Sequence, residues 1–235
     1  AQFQVPREAM HLGSDYFIDF ITEHALLKGC QSPLAAVAKR CAEQLDVIKS
    51  LKHGRAMDCL VRFSVRVELG YPSTYYHSKE HVSDVCNRLT SLLVKSNISA
   101  SGGPDNPKIM LAALVAAMIH DFEHPQVNNH FLVDQEDPVS IEFNDQAVWE
   151  NYSTKNGLLL LQDGSMNLLR GWRRVDRKDF RRIVIEMVLA TDMTRHFEIV
   201  TQFSTKVADN PDFDRMDGKR KWAAMSQDLK LVSLR

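Results

Sequence analysis

The sequence is short of several features, and each shortage removes a class of protein. Its net charge is only −1 across 235 residues, with 29 Lys and Arg against 30 Asp and Glu. That balance gives no argument for general binding to nucleic acid or to an acidic membrane surface. Cysteines are few: Cys30, Cys41, Cys59 and Cys86 show no CxxC or other ligand spacing. They read as free thiols in a reducing compartment, and the expected location is the cytoplasm or the cytosolic face of a membrane. The longest uninterrupted apolar run, Ile109 to Ile119, falls short of the roughly 20 residues that span a bilayer. No signal peptide opens the chain and no methionine begins it. Because it also stops at Arg235 inside a helical pattern, it is expected to be part of something longer. Internal repeats and low-complexity tracts are absent, and alternating β-branched runs are scarce.

What remains is helical periodicity. Leu34, Val37, Ala38, Cys41, Leu45 and Ile48 recur at helical spacing over residues 33–52, and a second helix is predicted from Ala56 to Leu69. Gly70-Tyr71-Pro72-Ser73 punctuates the chain. A helix from about Tyr76 to Lys95 places Val85, Leu89, Leu92 and Leu93 on one face, and steps of four carry that face back to His81 and His77. After a loop with Gly102-Gly103-Pro104 comes the alanine-rich apolar helix, then a polar segment to about Glu142. The next helix is expected to start at Asn144-Asp145 and end near Leu161. Asp176 or Asp179 is placed to cap another, in which Phe180, Ile183, Val184, Met187 and Val188 follow an i, i+3, i+4, i+7, i+8 pattern. A last helix carries Trp222, Met225, Leu229 and Val232. The expected fold is all-α, a multi-helix bundle with a buried polar site.

The chemistry concentrates where the apolar helix ends, at Ile119-His120-Asp121-Phe122-Glu123-His124-Pro125. Burying imidazole and carboxylate beside so greasy a segment is costly unless something compensates, and a metal ion is the usual compensation. His120 offers a nitrogen; Asp121 offers oxygens that reach one ion or bridge two. A lone His-Asp pair would be read more readily as a polar helix end. Three further groups turn inward by helical phase: His77 with His81; Glu150 with Asn151, near Asn144 and Asp145; and Thr191 and Asp192 with His196. Each alone is satisfied by a cap, a turn or a solvated face. Together they describe a metal site embedded in a helix bundle.

Four segments then carry a resemblance. They are Tyr76-His77-x-x-x-His81-x-x-Asp84-Val85, His120-Asp121-x-x-His124-Pro125-x-x-Asn128-Asn129, Phe143-Asn144-Asp145-x-x-Val148-x-Glu150-Asn151 and Leu189-Ala190-Thr191-Asp192-Met193-x-x-His196. In order and spacing they resemble the class I 3′,5′-cyclic nucleotide phosphodiesterases, which belong to the HD-type metal-dependent phosphohydrolases. Val67-Glu68-x-x-Tyr71 is similar to that family's lead-in, and the likeness covers roughly residues 55–208.

The resemblance implies a division into a helical lead-in, 1–54, and the N-terminal and middle part of a catalytic domain, 55–235. It implies hydrolysis of cyclic AMP or cyclic GMP to a 5′-nucleoside monophosphate by a metal-activated hydroxide, in signal transduction. His77 matches the general acid. His81, His120 and Asp121 match three ligands of a tightly held ion, normally zinc, with Asp121 bridging to a second ion, normally magnesium (or manganese). His124, Glu150, Thr191 and Asp192 match positions that orient water around the ions. The cyclic nucleotide is the one partner implied; nucleic acid is not, and oligomeric state is left open.

This sequence also departs from the family. The fourth ligand and the purine-reading glutamine and phenylalanine would lie beyond Arg235, so these 235 residues alone are expected to turn over weakly or not at all. Gln126 replaces a usual glycine, Ser78 a frequent asparagine, and Tyr152-Ser153 a common His-His pair. Two other readings compete: a helical regulatory module of the same fold with weakened catalysis, and another HD-type phosphohydrolase. The Thr191–His196 and Asn144–Asn151 segments argue against the latter.

Overall fold

The computed structural model describes residues 4–5, 7–18, 30–48, 51–97 and 106–205. Among them are nine α-helices, two short 3-10 turns and no strand. The all-α expectation holds; the helix carrying Trp222 to Val232 lies outside the described residues.

Helix α1 (Pro33–Gln44) starts on Ser32, whose hydroxyl accepts from the Ala35 N–H, with Pro33 preset for the first turn. The expected continuation to residue 52 does not occur. Asp46 turns left-handed at φ 53, and the Val47 and Asp46 N–H groups return to the Ala42 and Glu43 carbonyls, which closes the helix. Helix α2 (Ala56–Glu68) packs on α1. Its Glu68 reaches back to accept from Ser32 Oγ and the Leu34 N–H, a carboxylate at the positive end of α1.

Helix α3 (Lys79–Lys95) begins three residues later than the periodicity suggested, because Ser78 caps it by accepting from the His81 N–H. His77 therefore precedes the helix. The core-facing stripe also differs from expectation. Val82, Cys86 and Leu93 are buried with Ser83, Asn87, Thr90 and Ser91, whereas Leu92 is 47 % exposed. Val85, Leu89 and Leu92 instead line an open cavity. Small polar side chains share the buried face of α3 with Val82, Cys86 and Leu93, while Val85 and Leu89 sit at its margin, partly buried against the core.

Helix α4 (Asn106–Ile119) is apolar on every side, and every side is covered. It packs against α3, α1 and α2 and against two later helices, α7 (Val148–Leu160) and α8 (Arg174–Leu189). Met110 to Ile119 are all buried. Between α4 and α7 the polar segment folds into two short helices, α5 (Asn129–Asp134) and α6 (Pro138–Glu142). Helix α7 starts at Val148, not at Asn144. Asn144, Asp145 and Ala147 hold φ values of 54, 58 and 42, a left-handed stretch that Asn and Asp tolerate and that keeps the helix from starting earlier.

Helix α8 buries the expected stripe, Phe180, Ile183, Val184, Met187 and Val188. Neither aspartate caps it; Asp176 pairs with Arg173 and Asp179 with Lys108. A 3-10 turn, Met193–Arg195, leads into α9 (His196–Phe203). All four cysteines are free. No helix of the described residues is long and apolar enough to cross a membrane.

Candidate metal centre

The end of α4 is held by its surroundings. Past Ile119 the Asp121 N–H donates to the Tyr71 hydroxyl (3.3 Å), which itself donates to the Met118 carbonyl (3.0 Å). One tyrosine thereby satisfies two backbone groups that the helix end leaves open. Two glycines permit the close approach. A Cβ on Gly70 would lie 2.1 Å from the Phe122 ring, and one on Gly157 would lie 2.8 Å from Ile119. From α7, Ser153 Oγ donates to the Phe122 carbonyl (2.9 Å) and the Tyr152 hydroxyl meets Glu123 (3.2 Å). The pair standing where the family often has His-His thus braces this turn from behind.

On this base the chain brings His77, His81, His120, Asp121 and His124 together. Asp121 Oδ2 lies 3.0 Å from His120 Nε2, 3.3 Å from His81 Nε2 and 3.8 Å from His77 Nε2. The His81 and His120 Nε2 atoms are 3.3 Å apart. His120 Nδ1 donates to the Ala117 carbonyl (3.0 Å), which turns the other ring nitrogen toward Asp121. Two triads, His81–His120–Asp121 and His77–Asp121–His124, each have the spacing to hold a cation, and they share Asp121. Two imidazole nitrogens facing each other across 3.3 Å, beside a carboxylate, form a donor set suited to a borderline divalent ion.

The electrostatics agree. Burial alone would lower the His120 pKa, but the Asp121 carboxylate outweighs it through charge and hydrogen bond, and the net shift is upward. Asp121 is held well below the usual carboxylate range: burial opposes this, and His120, His81 and His77 together prevail. His124 is pushed down to about 4, first by burial and then by the charge of neighbouring His77. Burial lifts Glu150 against an opposing hydrogen bond from Asn129 (2.8 Å), with Asp192 and Asp121 adding like-charge repulsion.

All of these groups face one cavity of about 820 Å³. Glu150, Thr191 and Asp192 line it as expected, with Asp192 buried. His196 does not; it packs edge-on against Phe197. Asn151 turns back to the Gln146 and Ala147 carbonyls, and Asn144 and Asp145 remain in the left-handed turn. Periodicity missed Tyr71, the apolar wall of Val85, Leu89 and Leu92, and Gln126, whose amide oxygen is 3.1 Å from His77 Nδ1. The unusual residue at 126 and the lead-in that contains Tyr71 were visible as signals, but their contacts were not.

The chain belongs to the family described as 3′5′-cyclic nucleotide phosphodiesterase, whose pattern matches residues 76–231. It is 33% identical over 150 residues to the 3′,5′-cyclic-AMP phosphodiesterase 4 of Dictyostelium discoideum, which covers 63% of this chain and 14% of that protein. It is 32% identical over 170 residues to the dual 3′,5′-cyclic-AMP and -GMP phosphodiesterase beta of Plasmodium falciparum (isolate 3D7), covering 72% and 15% respectively. The chain therefore spans about one-seventh of the length of each. Its fold is similar to the phosphodiesterase domain of the RhoPDE fusion protein from the choanoflagellate Salpingoeca rosetta. That likeness has a TM-score of 0.74 at 20% identity and covers 94% of this chain and 64% of that one.

Proposed function

We propose that the protein hydrolyses 3′,5′-cyclic nucleotides to 5′-monophosphates with two divalent ions: His81, His120 and Asp121 would hold zinc, and Asp121 would also serve a second ion, magnesium (or manganese). The observation that carries this reading is the single carboxylate oxygen, Asp121 Oδ2, lying within 3.8 Å of three imidazoles on the cavity wall. When bound, the ions supply Lewis-acid charge and make a nucleophile of water near neutral pH.

The protein's own groups do the rest. Family membership supports His77 as the proton donor. Its Nε2 is turned toward Asp121 and the cavity, where a departing 3′-oxygen would need a proton. As water oxygen bonds to phosphorus, the P–O3′ bond breaks, its electron pair goes to O3′, and O3′ takes the Nε2 proton. Solvent accepts the proton lost by water and restores the one on Nε2. Glu150, Asp192 and Thr191 line the same cavity and offer oxygens to orient water, and the carboxylates of Asp121, Glu150 and Asp192 favour cations over anions there.

The test is release of 5′-AMP or 5′-GMP from the cyclic nucleotides by the full-length protein. Hydrolysis should vanish with a chelator and return with zinc plus magnesium. Failure to release either product at any metal composition overturns the reading.

A further inference from the structure

Gln126 occupies φ 67, a left-handed position that glycine adopts freely and glutamine only with strain. Its contacts give a reason for the side chain to be there. The Gln126 Nε2 donates to the His124 carbonyl at 3.1 Å, which sets the orientation of the carboxamide and leaves Oε1 facing His77. Oε1 lies 3.1 Å from His77 Nδ1. An amide oxygen can only accept, so Nδ1 of His77 carries a hydrogen in either charge state, and Nε2, the nitrogen turned to Asp121, gains and gives up the second proton when the ring acts as an acid. The Gln126 backbone N–H also donates to His124 Nδ1 at 3.0 Å, and the His124 ring stacks on His77 at 3.8 Å between centroids, 20° from parallel. One residue therefore holds the edge of the His77 ring and the ring that backs it.

We propose that Gln126 is a positioning residue for His77: its amide oxygen keeps the Nδ1–H engaged so that Nε2 alone exchanges a proton with the leaving oxygen. A carboxamide fits this task because it cannot itself take the proton and adds no charge beside the imidazole. The inference rests on the proposed hydrolysis and adds to it a residue where the family usually has no side chain.

The first measurement is independent of turnover. Long-range proton–nitrogen spectra of protein labelled with nitrogen-15 histidine report which ring nitrogen of His77 is protonated, with His77→Gln providing the assignment. Wild type should show the Nδ1–H form, and Gln126→Gly a mixture with the Nε2–H form. In the full-length, metal-loaded protein, Gln126→Gly should lower kcat for cyclic AMP roughly 10- to 100-fold, the usual cost of losing an orienting partner. Metal content should not change, and Tm should stay level or rise as backbone strain is relieved. An activated aryl phosphodiester, whose leaving group needs no proton, should be hydrolysed within about three-fold of wild type. Gln126→Met, with similar bulk and no acceptor, should lose as much on cyclic AMP. A neutral His77 in wild type with its hydrogen on Nε2 and none on Nδ1, an unchanged kcat, or equal losses on both substrates overturns the proposal. If wild type hydrolyses no cyclic nucleotide, the functional reading fails, while the spectra still decide what Gln126 does.

Discussion

The two histidine pairs flanking Asp121 use the same side chains on different foundations. His81 sits in the first turn of α3 behind the Ser78 cap, and His120 follows α4 directly with its Nδ1 on the Ala117 carbonyl. Their side chains keep 15% and 12% of their surface exposed, against 24% for His77. His77 precedes its helix, and His124 lies between two left-handed residues, Glu123 (φ 62) and Gln126 (φ 67). The inner pair is aimed by helix ends and backbone; the outer pair is aimed by a loop and one borrowed amide. Proposed ligands thus stand on the stiffest supports available, and the proposed proton donor stands where water and substrate can reach it.

The strongest way to break this contrast is to remove one member of each pair in the full-length protein. His81→Ala should lose bound metal and hydrolysis together, measured on the same preparation by metal analysis and product release. His77→Ala should keep its metal and slow hydrolysis by roughly 100- to 10,000-fold. Equal metal loss in both variants would erase the distinction between inner and outer pairs.

The footing under the inner pair can be probed through stability. Gly70→Ala would drive a methyl into the Phe122 ring beneath Asp121, whereas Gly54 has open space around it. Overpacking of this kind costs about 1–3 kcal/mol. Urea unfolding should show that loss for Gly70→Ala and a much smaller change for Gly54→Ala. Similar values for both would mean the turn after α4 yields more readily than its packing indicates.

The smallest effect concerns pH in metal-free protein, where the two pairs pull in opposite directions. His120 is raised in the fold, so its stabilisation is complete below the unfolded value, near 6.5, and fades as pH climbs through the folded one. His124 is lowered to about 4, so the unfolded chain binds more protons between that value and 6.5, and stability falls as pH drops through this window. Urea midpoints should therefore peak near pH 6.5. His120→Gln should flatten the alkaline slope and His124→Gln the acid one; a pair of variants that leaves both slopes unchanged contradicts the assigned directions.

Much of this was legible in the sequence because burial leaves a periodic trace. The stripe from Phe180 to Val188 and the apolar run into His120-Asp121 marked α8 and α4, and with them the site. Residues whose role depends on backbone sign left no such trace. Asn144 and Asp145 look like a helix cap in one dimension, but φ values of 54 and 58 place them in a turn. Leu92 looks like core, yet small hydroxyls on the other face of α3 take the buried side. His196 fits a motif, but α9 begins there and carries it away from the cavity. Tyr71 acts across a long separation in the chain, joining the end of α2 to the end of α4, which no local pattern reports.

The all-round apolarity of α4 bears on how the chain can be made. During synthesis α1, α2 and α3 emerge first and can offer partial shelter, but the face taken by α8 stays open until residues 174–189 are available. Until then the greasiest segment of the protein is a sticky surface, open to aggregation or to chaperone capture. In the finished fold the order reverses. The last element to be sheltered becomes the best sheltered, and its amides should be the slowest to exchange with solvent. His120 and Asp121 hang from the end of that segment, so the burial that stabilises the helix is also what holds the reactive groups in place.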